Sequence, residues 1–419
     1  MSHRSVYFFI ALLSLVIFES GCNGIRYRPK GEIITPLKSD KITSLDSVTV
    51  IAAKEYRAGA WKKMMQGEGY RKAWETPISA PVICLDTLYG GLTPKDKGGG
   101  EQTLSLEVED SLGNDYTIRS VNKNPESLIP PFAEKLNIEG IVTDGISAQH
   151  PYGSLVVGPM ADALGLWHSN PQLIFLPSQP EVLDTFNEEF KDRLFFFEYE
   201  TSGSGKWTKL PNILEVTDTE GMQELAHDNP DFRMDTANLV RARLFDLIIG
   251  DWDRHAKNWG WIITDEGETS LATVMACDRD NVFYGIGGII PTIINRPSIQ
   301  PLLRPFKKKI DHMPGMVKPF DSYFFYGVSG DLFKQEAKYV REHLTDEVME
   351  NALRTWPPAF YDLDGEEILE KMKARRNNIE KYAKEFHAIV QERGPLEEAL
   401  KGSTAYGRRT GKKKRTKVN

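Results

Sequence analysis

"RARLFDLIIGDWDRHAKNWGW" occupies Arg241–Trp261. Leu244, Leu247 and Ile248 fall at helical spacing in its first part, after Leu239 upstream, and Gly250 is suited to end that helix. Asp235 or Thr236 is placed to cap its start. The run then changes character, with Asp251, Asp253, His255 and Asn258 crowded into eight residues. Asp253 and Asn258 stand five apart, and twenty residues on "TVMACDRDNVF" reads as an apolar strand ending at Asp278. Phosphoryl transfer from a nucleotide needs this inventory. One carboxylate orients the acceptor hydroxyl and receives its proton, while short oxygen ligands hold a divalent cation on the phosphates.

The order within the motif, Asp-x-His-x-x-Asn, resembles the atypical kinases: the phosphatidylinositol kinases with their "DRHxxN" loop, the HipA toxin kinases, the spore-coat CotH kinases and the Golgi secretory-pathway casein kinases. "LFDLIIGDWDRH" is similar to that last family's Phe-Asp-Phe-Leu-Ile-Gly-Asn-x-Asp-Arg-His, and "CDRDNVF" stands where it carries a Leu-Asp-Asn-Gly element. The block "GGLTP…GGG.QT" also resembles a group of bacteroidete lipoproteins. The kinase resemblance is specific over roughly residues 239–285. It implies Asp253 as catalytic base, His255 as a brace for the loop, and Asn258 and Asp278 as ligands of Mg2+ (or Mn2+) on bound ATP. Asp280 is the rival of Asp278, which keeps the family's spacing to Phe283. Asp251 would be an acid behind the site. One position departs from the family: Arg279 stands where a Gly should follow the metal Asp.

The nucleotide side is read upstream. A glycine-rich stretch containing Gly98, Gly99 and Gly100 precedes two period-two strands, Thr103–Val108 and Tyr116–Val121, joined by a turn at Gly113-Asn114-Asp115. Such a loop can lay backbone N–H groups over phosphates. The cation that pairs with them would be Arg119 on the return strand, or Lys123 just beyond. An acid to orient it is not evident; Glu134 and Gln149 are the nearest candidates. "HPYGSLVVGPMADALGL" reads as a helix kinked at Pro159, and "PVICLDTL" as a strand. Most of 331–392 reads as helix, with one long charged helix over 364–394.

The composition is that of an ordinary globular protein: 419 residues, 40% hydrophobic and 26% charged. The net charge of −7 hides seven basic residues in 408–419, which leave −14 on the rest. A body that acidic is a poor general partner for nucleic acid. The apolar run Val6–Phe18 is too short to span a bilayer and suits a signal peptide. Ser-Gly-Cys22 after it resembles a lipobox. The expected organisation is therefore a signal peptide over 1–22 ending at a lipidated Cys22, and a tether over 23–46. A β-rich N-lobe over 47–204, a helical C-lobe over 205–395 and a basic disordered tail over 396–419 complete it. The fold class is α+β, two-lobed and protein-kinase-like. The expectation is an exported, lipid-anchored phosphotransferase at the cell envelope, with nucleotide and a hydroxyl acceptor as partners. Two alternatives stand beside it. One is a scaffold of the same fold without turnover, which Arg279 and the missing Lys favour. The other is a metal-dependent hydrolase using Asp251, Asp253 and His255 on one face of an extended loop.

Overall fold

The computed structural model describes residues 30–35, 42–98, 103–124 and 139–402, with the side chains of 139, 141 and 142 left aside. The signal-peptide residues, Cys22, Gly99, Gly100, Glu134 and 403–419 lie outside the described residues.

The first part of the chain carries two antiparallel sheets. A small one joins β1 (Glu32–Ile33), β2 (Ser47–Ile51) and β3 (Pro77–Pro81). Glu32 and Ile33 pair with Ile51 and Val50, so the expected tether over 23–46 is partly docked as an edge strand. The predicted strand "PVICLDTL" lies earlier, as β3, because Val50 and Val48 pair with Ile78 and Ala80. Two short helices, α1 (Ala60–Gln66) and α2 (Arg71–Glu75), connect β2 to β3.

The larger sheet runs in the order β4 (Leu92–Pro94), β5 (Thr103–Asp110), β6 (Asp115–Lys123), β9 (Arg193–Tyr199), β8 (Gln172–Leu176). The hairpin between β5 and β6 turns where expected: Gly113 has φ 77°, and Asp110 Oδ1 accepts from the N–H groups of Leu112 and Asn114. Strand alternation sorts its faces. Leu106, Ile118 and Phe197 align on one face and are buried in a core of their own with Val108, Tyr116 and Phe195. Ser105, Arg119 and Phe196 align on the other, beside the aligned set Glu107, Thr117 and Glu198. This second face carries the cations.

"HPYGSLVVGPMADALGL" forms a 3-10 turn over Gly153–Val156 followed by α3 (Val157–Ala163). Pro159 does not kink a longer helix. It falls in the first turn of α3, where a missing N–H costs nothing.

The second part opens with a further sheet rather than with helices alone. Its order is β10 (Ile213–Asp218), β12 (Trp259–Asp265), β13 (Ser270–Ala276), β11 (Phe232–Met234), and β7 (Trp167–His168) pairs with β13. The helices include α4 (Thr219–Asp228), α5 (Thr236–Ile249), α6 (Ile289–Ile294), α7 (Pro319–Phe325), α8 (Gly330–His343), α9 (Asp346–Leu353), α10 (Glu366–Asn377) and α11 (Ile379–Arg393). The fold is thus α+β, with β-sheets dominating the N-terminal half and helices the C-terminal half.

Helix α5 follows its sequence closely. Asp235 accepts from the Asn238 N–H at 2.9 Å, a cap contributing about 1 kcal/mol. Gly250 closes the helix at φ 73°. Almost the whole helix is buried, so it forms the central strut of the main core. The long helix predicted over 364–394 is instead two helices broken at Asn378, after a short π-helical stretch at Tyr361–Gly365. Its face is not merely solvated: Arg375 is buried and donates to the carbonyls of Leu247 and Lys307 at 2.8 and 2.7 Å. The start of the expected disordered tail is docked as well. Leu400 is buried, and its backbone exchanges two hydrogen bonds with the Gln223 amide, at 2.8 and 3.0 Å.

Candidate active site

The antiparallel hairpin of β12 and β13 assembles the site. Trp259 opposes Ala276, so the residue before β12 and those after β13 emerge at one end. Asn258 is that first residue and Asp278 lies two past the strand, and the Cys277 N–H donates to the Asn258 carbonyl at 3.2 Å. Asp278 takes φ 52°, a left-handed conformation rare for a residue with a side chain and common at functional sites.

Arg254 fastens this end. It is fully buried and donates to the carbonyls of Cys277 and Asn258, both at 2.7 Å. Its guanidinium also stacks 4.1 Å over Trp259. One residue of the Asp-x-His-x-x-Asn loop therefore clamps that loop to the strand end carrying Asp278. The brace expected of His255 falls to Arg254 instead, because five fixed donors can reach several carbonyls at once. His255 is half-buried with its Nδ1 lacking a partner, and burial lowers its pKa against the charges of Asp253 and Asp278.

Beneath lies a closed ionic network. Asp246 of α5 meets Arg243 at 2.7 Å, Arg279 at 2.6 Å and Arg254 at 3.3 Å. Asp321 pairs with Arg243 at 2.7 Å. Asp251 belongs here too, fully buried, 3.4 Å from Arg254 and 3.6 Å from Arg279. Burial pushes its carboxyl up to about 7. Asp251 thus faces inward behind the site, and the alternating Asp251–Asp253–His255 face of the hydrolase reading is not formed. Among the described residues no group of three or more His, Cys, Asp or Glu gathers to hold a metal. Arg279, the departure from the kinase pattern, is spent on Asp246 and Asp251 rather than aimed at a ligand.

The carboxylates of the strand end meet the cations of β6. Arg119 lies 3.8 Å from Asp278, and Lys123 pairs with Asp280. Both sequence candidates for the phosphate cation therefore reach the acidic pair, one on each member. Burial raises the Asp278 carboxyl, but Arg119, Lys123 and His255 outweigh it and hold it below its ordinary value. Asp280 goes the other way: burial and the Asp278 charge push it up to about 6 against the pull of Lys123. Arg119, Lys123, Gln149 and Asp280 line one small cavity of about 20 Å³, room for roughly one water. Gln149 donates to Asn281 at 2.8 Å rather than supporting a cation.

Around Asp253 the contacts are short. Its carbonyl accepts from Asn258 Nδ2 at 2.6 Å, and its carboxylate accepts from Asn281 Nδ2 at 3.3 Å. With its amide nitrogen so occupied, Asn258 turns Oδ1 away, and that oxygen is buried without a hydrogen bond. Asp278 Oδ1 is likewise buried without one. Two hard acceptor oxygens left bare at one end of the β12–β13 hairpin are of the kind a divalent cation takes, with its remaining ligands from phosphate and water. Gly98 lies at the other end, where an added Cβ would meet Glu107 Oε1 at 3.1 Å and Ser105 Oγ at 3.8 Å. It covers the same sheet face that bears Arg119.

Sequence reasoning missed several residues here. Glu198 is buried diagonally across β6–β9 from Arg119, and burial lifts its carboxyl to about 7. Lys318 is buried 5.7 Å over the Trp252 ring and donates to the carbonyls of Gly315 and Leu302 at 2.9 and 3.3 Å. Burial lowers it to about 7, with the Asp253 charge the main opposing influence. Asp246 was visible as a lone carboxylate in an apolar helix, three residues after Arg243. Nothing local marks Glu198 or Lys318. Cys84 and Cys277 are free rather than paired, and burial pushes the Cys277 thiol up to about 12.

No family model matches the chain, and no curated protein matches it. Among solved structures, it is similar to the crystal structure of a Helicobacter pylori proinflammatory kinase, CtkA, with a TM-score of 0.32 and 10% identity. That similarity covers 69% of this chain and 93% of the other.

Proposed function

We propose that this chain is a kinase-like phosphotransferase, binding ATP or a related nucleoside triphosphate between the β6 face and the 251–280 region. The observation that carries the reading is the meeting of Arg119 and Lys123 with Asp278 and Asp280, beside the bare oxygen of Asn258. Asn258 and Asp278 would hold the Mg2+ or Mn2+, whose chemistry is to neutralise charge on the phosphate oxygens. Arg119 and Lys123 pass from the carboxylates to the phosphates when nucleotide enters. Asp253, half-exposed and oriented by Asn281, accepts the proton of an acceptor hydroxyl as that oxygen bonds to the γ-phosphorus and the bond to the nucleoside diphosphate breaks. Arg254 and the Asp246 network keep these groups in register. Export and anchoring through Cys22 are part of the same reading and rest on the sequence.

A scaffold that binds nucleotide without turnover is the second reading, favoured by Arg119 standing where kinases carry Lys. Calorimetry and a γ-phosphoryl transfer assay test both. Asp278→Ala and Asn258→Ala are expected to weaken magnesium-dependent nucleotide binding by about tenfold or more. Asp253→Asn is expected to keep binding and to lower turnover by about 10²–10⁴. Binding without turnover in the parent protein selects the scaffold. Binding indifferent to magnesium and to Asp278→Ala and Asn258→Ala overturns both readings.

A further inference from the structure

From Asn281 to Ile310 the chain has no acidic residue, yet it carries Arg296, Arg304 and Lys307–Lys309. In a body this acidic, thirty residues of one sign stand out. The same stretch exposes large aliphatic side chains: Ile289 and Ile294 at each end of α6, and Ile299 just after it. Helix α6 packs on α1, which adds exposed Trp61 and Met64. Two glycines hold that packing close. A Cβ on Gly67, at φ 94°, would lie 2.7 Å from the Gly287 carbonyl. Beyond α6 the chain is pinned, with Arg304 donating to the Asn295 carbonyl at 2.8 Å and Phe306 N–H to the Tyr284 carbonyl at 2.8 Å. The pinning keeps the exposed residues on a fixed surface. Lys307, Lys308 and Lys309 follow directly, all exposed. Lys307 reaches Asp311 at 3.2 Å and Lys308 reaches Glu370 at 3.8 Å, surface pairs that count for little.

We infer that this stretch, with the exposed isoleucines of and after α6 and with Lys307–Lys309, forms a docking surface for an anionic lipid bilayer. Large apolar side chains beside basic ones suit the headgroup boundary, where aliphatic tips enter and cations stay at the lipid phosphates. A peptide would need a groove or a free strand edge. The stretch offers one six-residue helix and no strand. No helix among the described residues is long and apolar enough to cross a membrane, so the contact is a peripheral one.

The test uses the full chain carrying Cys22→Ser, which removes any lipid anchor, and measures co-sedimentation with equimolar phosphatidylglycerol–phosphatidylcholine vesicles against phosphatidylcholine alone. Binding to the anionic vesicles is expected, weakening with salt. Two variants probe the face: Ile289→Ser/Ile294→Ser/Ile299→Ser, and Lys307→Gln/Lys308→Gln/Lys309→Gln. All six side chains are exposed, so folding is preserved, and circular dichroism verifies it. Each variant is expected to lose about tenfold or more in partitioning. Equal binding of parent and both variants overturns the proposal, since the attraction then comes from the basic C-terminal residues. Indifference to anionic vesicles overturns it as well, as does capture by polyglutamate peptide in place of vesicles, which assigns the face to a polypeptide. None of these outcomes depends on nucleotide binding, so the result stands apart from the phosphotransferase reading.

Discussion

At the scale of the residue, the site is governed by how buried charge is shared. Three arginines surround Asp246, so its carboxylate stays ionised in spite of burial. Arg279 is one of them, and replacing it leaves Asp246 with Arg243 and Arg254 and leaves Asp251 with Arg254 alone. Arg279→Gly, which supplies the residue that the kinase resemblance implies, is expected to cost about 1.5–3 kcal/mol in urea unfolding and, on the phosphotransferase reading, to raise turnover not at all. A gain in turnover with unchanged stability would show that Arg279 obstructs the site instead. Glu198 makes a second case. Burial comes first and lifts its folded-state pKa from 4.5 to about 7, with Arg119 pulling the other way. The folded protein therefore holds a proton that the unfolded chain has released. The sign follows: this contribution is fully present below pH 4.5 and is lost as pH rises to about 7. Glu198→Gln removes the loss. The melting temperature of the variant is thus expected to gain on the parent as pH rises from 5 to 7.5, in that window and in that direction. A gap independent of pH would contradict a shared proton at Glu198.

At the scale of the element, α5 decides where the loop begins. The cap that follows it, Gly250, fixes the direction in which Asp251 and Asp253 leave the helix. Gly250 is left-handed, and an added Cβ would lie 2.6 Å from the Phe306 ring and 3.2 Å from Arg375 Nη1. Gly250→Ala is expected to destabilise by about 1–3 kcal/mol in thermal unfolding, from strain and steric overlap together. Asp235→Ala at the other end loses only a cap, about 1 kcal/mol, and leaves the loop's direction intact. If nucleotide binding is equally hurt by both, the helix end does not aim the loop. The β12–β13 hairpin supplies the other half of the geometry. Its register, Trp259 against Ala276, brings Asn258 and Asp278 to one end, and a slip of one residue would turn every side chain over.

At the scale of the whole molecule, residues from one end of the chain hold another. Leu400 docks on α4 through Gln223, and Gly402 N–H donates to Glu220 at 2.6 Å. A chain ended after Gly402 is expected to melt with the full-length protein. One ended after Gly394 loses the buried Leu400 and is expected to lose about 2 kcal/mol or more. Identical melting of the two truncations would make the docked segment energetically idle.

Local patterns carried much of this protein. The capped apolar helix at 236–249, the period-two hairpin with its turn at Gly113, and the apolar strand before Asp278 depend on neighbours within a few residues, and each formed where its pattern lay, the strand stopping at Ala276. That Asn258 and Asp278 emerge at one end, with Asp253 hydrogen-bonded to Asn258, was legible for the same reason, since the spacing of loop and strand end is set by one short hairpin. Which cation meets which acid was not legible. Arg119–Asp278 and Lys123–Asp280 join residues about 160 apart in sequence, the cations on β6 and the acids just past the end of β13. Nor was the fate of the arginines. A charge in sequence looks solvent-bound, and only the closed interior around Asp246 turns Arg243, Arg254 and Arg279 inward, because a buried carboxylate left unpaired there would be too costly to keep.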